Sequence, residues 1–163
     1  MCQISGAKRL TNNKILITGA TSGIGEALLK KLLQYDNEII GLLLPLLKQN
    51  DNAAIINVSS GLGLVPKMQA PVYCSTKAGL HIFSKALRYQ LDHVKVFEII
   101  PPLVETKMTT GRGKNKISPE ELAAEFVQAF KCNHYEISIG KVKLLKLLNR
   151  VSPLLAENIM RRG

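Results

Sequence analysis

The chain has 163 residues, 46% apolar and 21% charged, which is long enough for one domain with a hydrophobic core. Its 22 Lys and Arg residues against 12 Asp and Glu residues give a formal charge of +10, but no nucleic-acid-binding motif accompanies that charge. No apolar run reaches the ~20 residues of a membrane span, and no secretory leader pattern opens the chain. We therefore expect one cytoplasmic domain with a solvated basic surface and no nucleic-acid partner.

The first half of the chain alternates between strand and helix patterns. Residues 14–18 predict a short apolar strand, and the glycine-containing turn at 19–25 opens a helix with one apolar face. Residues 38–40 predict a second strand, which runs without a turn into an apolar helical segment at 42–50. Residues 53–58 predict a buried strand. This alternation is typical of an α/β protein.

The second half predicts two further strands and three helical segments. Their residues are 70–91, 95–100, 118–131, 136–139 and the leucine-rich tail from 141. Ser118 supplies a helix N-cap, and Pro119 stands at the first helical position. Pro153 should interrupt the helical tail, since proline cannot donate a backbone hydrogen bond.

A glycine-rich turn, TGATSGIG at 18–25, lies between the first strand and the first helix. Residues without bulky side chains allow a pyrophosphate to approach the backbone at the positive N-terminus of a helix. We therefore expect nucleotide binding at this turn. The candidate contacts are Gly19, Thr21, Ser22, Gly23, Ile24 and Gly25. A plain strand-to-helix connection is the alternative.

A phenol and an ammonium stand four residues apart in the segment YCSTK, at Tyr73 and Lys77. This spacing places both side chains on one face of a helix. A phenol ordinarily titrates near pH ~10, and a neighbouring positive charge favours its ionised form. Tyr73 could therefore act as an acid or base near neutrality, although a surface pair on an amphipathic helix has the same spacing.

A serine follows the buried strand at 53–58, in the segment NVSS. Open α/β sheets bind ligands beyond the carboxyl ends of their strands, where Ser60 lies. Ser60 could hydrogen-bond a substrate carbonyl there, and an ordinary turn serine is the alternative.

Four segments, TGATSGIG, NVSS, YCSTK and PPLVET, occur here in the order in which the short-chain dehydrogenase/reductase family has them. The resemblance implies a Rossmann-like, doubly wound parallel sheet and an oxidoreductase that transfers hydride between a nicotinamide and a carbonyl or alcohol substrate. It implies NAD or NADP as cofactor, without choosing between them.

The resemblance also implies roles for single residues. Ser60 would orient the substrate oxygen, Tyr73 would donate or accept the proton, and Lys77 would bind the nicotinamide ribose and lower the pKa of the tyrosine. Thr106 would contact the nicotinamide carboxamide, and Pro102 replaces the glycine usual in that segment. The C-terminal half further resembles a bacterial subgroup associated with D-alanine esterification of teichoic acids.

The chain departs from the family in its middle. Gly19 and Tyr73 are only 54 residues apart, much closer than in the family. The resemblance implies an internal deletion near 40–41 that removes about two to three central strands, so the fold is one incomplete domain over 1–163. The catalytic asparagine has no counterpart. The two halves of the chain must either pack directly against each other or leave a gap in the sheet. Because both arrangements threaten the distance between the phosphate turn and Tyr73, we expect this short form to be an impaired catalyst.

Other functions remain open at this stage. The chain could be a non-catalytic remnant that serves as a nucleotide-binding or dimerisation module, because segments 42–50 and 70–91 resemble the helices that pair across the family dimer. The tail predicts a core helix or a flap over the substrate pocket, with an interfacial membrane helix as the less favoured alternative.

No metal site is expected. The three cysteines lack the paired spacing of a zinc site. His81, His93 and His134 stand apart in the sequence and are interpreted as ordinary surface or helix histidines.

Overall fold

A five-stranded parallel sheet forms the centre of the computed structural model, which describes residues 14–17, 23–34, 38–39, 52–111 and 113–162. The strands are β1 Lys14–Ile17, β2 Glu38–Ile39, β3 Ala54–Val58, β4 Lys95–Ile100 and β5 Glu136–Ser138. Their order across the sheet is β2-β1-β3-β4-β5. Gly19, Thr21, Ser22, the junction at 40–41 and the predicted helix at 42–50 lie outside the described residues.

In the described part of the chain, helices follow β1, β3, β4 and β5 where the sequence predicted them. They are α1 Gly23–Leu33, α2 Pro71–Gln90, α3 Pro119–Lys131, α4 Val142–Val151 and α5 Pro153–Arg162, with 3-10 turns at Gly61–Gly63 and Lys107–Thr109. The hydroxyl of Ser118 accepts a hydrogen bond from the backbone N–H of Glu121 at 3.0 Å, which confirms the predicted N-cap of α3. The tail breaks before Pro153, as expected.

The two halves of the chain join in one continuous sheet. β1 pairs directly with β3, with Ile15 opposite Ala54 and Ile17 opposite Ile56. The family's fourth strand would lie between these two strands, and its place in the sheet is taken by this direct pairing. The predicted fold class, an incomplete doubly wound α/β sheet, is confirmed.

The main core lies between one face of the sheet and helices α1 and α3. Leu28 of α1 and Leu122 of α3 are fully buried there. The rings of Phe97, Phe126 and Phe130 pack against one another with centroid separations of 4.7 to 6.3 Å. Burying each such side chain contributes about 1.5–3 kcal/mol, so this cluster is the main apolar support of the sheet.

Helix α2 covers the opposite face of the sheet. Apolar contacts on this side involve the first residues of the strands and the end of α2. The buried members are Ala53, Ile55, Leu91, Val94 and Val96. Further along the strands this interface becomes polar, and the polar part lies next to the candidate site.

The C-terminal tail packs on the body of the protein through only part of its surface. Val142 and Ala156 are buried, and the side-chain amide of Asn149 donates to the carbonyl of Leu64 at 3.4 Å. The prediction that the tail packs on the body is therefore correct for these residues. It is wrong for Leu144 and Leu147, which are exposed. None of the helices in the described parts of the chain is both long and apolar enough to cross a bilayer.

Candidate active site

The predicted catalytic residues lie at the carboxyl end of β3 and in the first two turns of α2. Ser60 follows β3 by two residues, and Tyr73 and Lys77 stand one turn apart on α2. Tyr73 is 45% exposed, so its phenol is open to solvent. Lys77 is half-buried. The site therefore forms where open α/β sheets bind their ligands.

Lys77 connects α2 to the strand that carries Ser60. Its Nζ donates a hydrogen bond to the backbone carbonyl of Val58 at 2.8 Å and lies 5.7 Å from the centroid of the Tyr73 ring. Burial lowers the pKa of the Lys77 ammonium, because desolvation disfavours the charged form. The ammonium thus lies beside the tyrosine, as the four-residue spacing predicted, and it also lies beside the end of β3.

Ser60 begins the 3-10 turn that follows β3. Its hydroxyl accepts a hydrogen bond from the backbone N–H of Leu62 at 3.2 Å, which makes it the N-cap of that turn. The neighbouring Ser59 is buried and donates to the carbonyl of Ile99 at 3.4 Å. Of the two serines, Ser60 is therefore the more accessible to a ligand.

Close contact between the turn and α2 depends on Gly63. A Cβ on this residue would stand 2.8 Å from the backbone carbonyl carbon and oxygen of Lys77. Only glycine fits at this distance without displacing the helix. The loop after Ser60 is thereby held against the segment of α2 that carries Lys77.

The described part of the predicted phosphate turn lies at the start of α1. Gly23 has a φ of +59°, which favours glycine, and it begins the helix. Gly25 is buried, and Ile24 packs against the main core. A Cβ on Gly23 would stand 3.0 Å from Cγ2 of Thr106, so the structure brings these two predicted cofactor contacts together.

Thr106 is fixed by a reciprocal cap. It is the N-cap of the 3-10 turn Lys107–Thr109, and its backbone N–H donates to the hydroxyl of Thr109 at 2.9 Å. The Thr109 hydroxyl in turn donates to the carbonyl of Val104 at 2.6 Å. Thr106 is therefore held in one position, with its methyl group toward Gly23.

A row of polar side chains crosses the sheet beneath α2. Asn57 of β3, Glu98 of β4 and Glu136 of β5 are register partners in neighbouring strands. Nδ2 of Asn57 donates to Oγ of Ser84 at 2.9 Å. Nδ1 of His81 lies 3.0 and 2.9 Å from the two carboxylate oxygens of Glu98. His81 lies in α2, so its interpretation as a helix histidine holds, but it is buried against Glu98 and is not a surface residue.

Cations balance the two adjacent carboxylates of this row. Arg88 lies 3.9 Å from Glu98, and Lys146 donates to Glu136 at 2.6 Å. Like charges directly opposite each other in a sheet are destabilising, and these cations offset that repulsion. The ligand atoms of His81, Glu98 and Glu136 lie within 4.8 Å of one another, close enough for one metal ion, but the neighbouring cations already supply positive charge there.

The sequence contains a pattern from which this row of polar side chains beneath α2 could have been predicted. Lys77, His81, Ser84 and Arg88 recur every three or four residues, so they share one face of α2. Glu98 is a lone carboxylate within the apolar strand KVFEII. A polar helix stripe and a charged residue in a buried strand together predict a buried polar contact.

A cavity of about 660 Å³ lies between the loop after Ser60, the start of α2 and the last helix. Apolar side chains dominate its walls, and three polar residues of α5 complete it. The lining includes Leu62, Leu64, Met68, Cys74, Glu157, Asn158 and Arg161. The tail thus covers this cavity on one side. Ser60, Tyr73 and Lys77 are not among its lining residues, so the flap over a substrate pocket stays a prediction.

The parallel sheet, the glycine at the start of α1 and the Ser-Tyr-Lys arrangement define a Rossmann-type α/β protein. Residues 38–117 match the model of the short chain dehydrogenase family. Together with the relatives and solved structures below, this match shows that the chain is similar to short-chain dehydrogenases/reductases.

Several curated relatives are similar over part of their length. The oxidoreductase DltE of Bacillus subtilis is 39% identical over 113 residues, which cover 64% of this chain and 45% of DltE. The very-long-chain 3-oxoacyl-CoA reductase of Homo sapiens is 35% identical over 83 residues, covering 48% of this chain and 27% of that protein. The chain therefore spans less than half the length of these relatives. The match to DltE confirms the resemblance to bacterial members that the C-terminal half of the sequence indicated.

Solved structures agree on the fold. A short-chain dehydrogenase from Burkholderia cenocepacia in complex with NADP has a TM-score of 0.83 at 16% identity, covering 96% of this chain and 100% of that chain. A short-chain dehydrogenase/reductase from Burkholderia phymatum in complex with NAD has a TM-score of 0.73 at 14% identity, covering 95% and 97%. At these identities the likeness establishes the fold.

Proposed function

We propose that this chain is an NAD(P)-dependent oxidoreductase module whose substrate is a small carbonyl compound or alcohol. The observation that carries the proposal is the position of Lys77, beside the Tyr73 ring and hydrogen-bonded to the end of the strand that leads to Ser60. This arrangement supports proton transfer at a substrate oxygen. It also supports Ser60, Tyr73 and Lys77 as the catalytic residues.

The three side chains divide the chemistry. The phenol of Tyr73 is exposed and can donate a proton to, or accept one from, the substrate oxygen. The Lys77 ammonium stabilises the phenolate through its positive charge. The Ser60 hydroxyl can donate a hydrogen bond to the substrate oxygen while still accepting the Leu62 N–H.

NAD or NADP fits the described residues around the start of α1. Gly23 keeps the helix N-terminus free of a side chain, and Thr106 faces it from the opposite loop. These two residues, with Ile24 and Gly25, would hold the cofactor, and Gly19, Thr21 and Ser22 complete the proposed set. When bound, the nicotinamide supplies or accepts the hydride. The described residues do not distinguish the two cofactors.

We expect slow turnover, because β1 pairs directly with β3, where the family has a strand between them, and the loss of that strand should alter the spacing between the start of α1 and Tyr73. A misplacement of ~1 Å can reduce the rate on the order of a hundredfold. The chain also has no counterpart of the family's catalytic asparagine, which helps to return a proton to the tyrosine after each turnover. The chain is proposed as a single domain over 1–163, in the cytoplasm.

The alternative function is a non-catalytic module that binds nucleotide or dimerises. Exposed apolar side chains on α2 favour this alternative. They are Val72, Ile82, Phe83 and Tyr89. Such a face is typical of a helix that pairs with a partner, and a homodimer through α2 and segment 42–50 is the proposed assembly.

The test compares this chain with one that carries the family's missing segment after Ile40. Binding of NADH and NADPH is measured by titration, and turnover is followed by nicotinamide absorbance with a panel of ketones, aldehydes and alcohols. We expect cofactor binding in both chains, and turnover mainly in the longer one that Tyr73→Phe abolishes. Cofactor binding without turnover in either chain would favour the nucleotide-binding module. No cofactor binding in either chain would refute the oxidoreductase and the nucleotide-binding module, and dimerisation would be the remaining function.

A further inference from the structure

Helix α4 exposes an apolar stripe that the body of the protein does not cover. On α4, Leu144, Leu147 and Val151 are 70%, 58% and 76% exposed. Their spacing of three and four residues places them on one face of the helix. Leu154 and Ile159 of α5 are also exposed, but at five residues apart they do not share a face of that helix. We call Leu144, Leu147 and Val151 the tail stripe.

Other residues of α4 and α5 are used for packing. Val142 of α4 and Ala156 of α5 are buried, and Asn149 binds the carbonyl of Leu64. The tail is therefore held on the body through its inner face. The tail stripe is an outer surface, and it remains exposed after the helices have packed.

Positive charge surrounds the tail stripe. Between residues 141 and 162 the chain has six Lys and Arg residues, and Glu157 is the single acidic residue. Lys143 and Lys146 are engaged with Glu125 and Glu136 on the body. Lys141 and Arg150 are exposed. At 100° per residue these two lie on opposite sides of the stripe formed by Leu144, Leu147 and Val151.

The charge distribution selects the kind of partner. A second copy packed through the same face would bring Lys141 and Arg150 of both copies together, and like charges across an interface oppose association. An anionic lipid surface offers complementary charge to the cations and an acyl boundary to the apolar side chains. Each helix is ~15 Å long, which suits lying along a membrane surface.

We propose that the tail stripe docks this protein on an anionic lipid bilayer, with α4 lying in the headgroup plane. Leu144, Leu147 and Val151 enter the acyl boundary, and Lys141 and Arg150 contact the headgroups. The proposal is independent of the proposed enzymatic function, because it rests on the outer surface of the tail.

The absence of tryptophan from the chain permits a direct test. Leu147→Trp and Ile82→Trp each introduce one tryptophan at an exposed apolar position, on α4 and on α2. Vesicles contain phosphatidylcholine alone or with phosphatidylserine. We expect a blue-shifted emission of the tryptophan at 147 with the anionic vesicles, quenching by brominated acyl chains, and no shift at 82. Absence of the shift at 147, or an equal shift at both positions, would overturn the proposal.

Sedimentation with the same vesicles tests the charges. Replacing Lys141 and Arg150 by Glu should reduce binding to anionic vesicles at least about tenfold, whereas replacing the exposed Lys107 and Lys114 by Glu, an equal change of net charge, should reduce it much less. Equal losses would indicate non-specific attraction and refute the docking surface. A concentration-dependent blue shift at 147 without vesicles would show that a second copy covers the stripe instead.

Discussion

Gly23 and Thr106 meet across the two halves of the chain, with Cγ2 of Thr106 3.0 Å from the position that a Cβ on Gly23 would occupy. Gly23 begins α1, which follows β1, and Thr106 follows β4. Their contact accompanies the direct pairing of β1 with β3, and together these two contacts join the halves at the carboxyl edge of the sheet.

Replacing Gly23 by Ala should destabilise the protein and weaken cofactor binding. The residue has a φ of +59°, so a side chain adds backbone strain of about 1–3 kcal/mol and also presses on Thr106. Urea unfolding and NADH titration measure the two effects. The control is Gly111→Ala, at a φ of +74° with nothing within 4 Å, which should lose stability only. Undiminished NADH affinity in Gly23→Ala would count against the cofactor assignment.

Replacing Gly63 by Ala should displace α2. The new Cβ would meet backbone atoms of Lys77 at 2.8 Å, and such overpacking costs about 1–3 kcal/mol. Gly79→Ala is the matched control, because it lies within α2 with nothing within 4 Å. That control should gain about 0.5–1 kcal/mol from helix propensity. Equal unfolding free energies for the two variants would show that the loop and α2 are not in close contact.

Removing the imidazole of His81 should destabilise the fold strongly. His81→Leu leaves the fully buried Glu98 carboxylate without its nearest partner, which costs about 3–5 kcal/mol. Adding Glu98→Gln should recover part of the loss, and a double-mutant cycle in urea measures the coupling. Glu26→Gln, which breaks the exposed pair with Lys30, is the control and should change nothing measurable. A coupling near zero would contradict the buried pair.

The contact between Lys146 and Glu136 should make stability depend on acid pH. Burial tends to raise the pKa of the Glu136 carboxyl, but the hydrogen bond and charge of Lys146, with smaller charge effects from Lys85 and His81, outweigh it, so this pKa lies below its ordinary value. A carboxyl with a lowered folded-state pKa stabilises the fold above its unfolded pKa, and this contribution is lost as pH falls through the folded value.

Lys146→Met should therefore lower the unfolding free energy at pH ~7 by less than about 1 kcal/mol, the usual range for a pair that is partly exposed to solvent. The difference from the original chain should disappear at pH values below the folded pKa. Lys141→Met, at an exposed position, removes the same charge and is the control. Urea unfolding across this pH range measures both, and a pH-independent difference would contradict the ion pair.

Local features of the fold were predictable because short stretches of sequence determine them. The cap at Ser118, the strand Lys95–Ile100 and the break at Pro153 each follow from neighbouring residue types. The proximity of Tyr73 and Lys77 follows likewise from their helical spacing.

Features that depend on distant residues were not predictable in the same way. Whether the two halves of the chain form one continuous sheet or stay separated depends on whether β1 can pair with β3. No local sequence pattern encodes that pairing. The burial of His81 depends on Glu98 in a strand 17 residues further along the chain. An exposed or a buried histidine would have the same sequence neighbours, so tertiary packing decides between them.

The polar row beneath α2 gives this helix a fixed setting along the sheet. Hydrogen bonds from Lys77 to Val58, between His81 and Glu98, and from Asn57 to Ser84 engage successive turns of the helix. A shift of α2 by one helical turn would break all of these hydrogen bonds at once and leave buried polar groups unpaired. An apolar interface has no such pairs to lose and tolerates the same shift. These hydrogen bonds fix the position of α2 along the sheet. Tyr73 and Lys77 therefore keep their placement beside β3 even though the neighbouring strand order has changed.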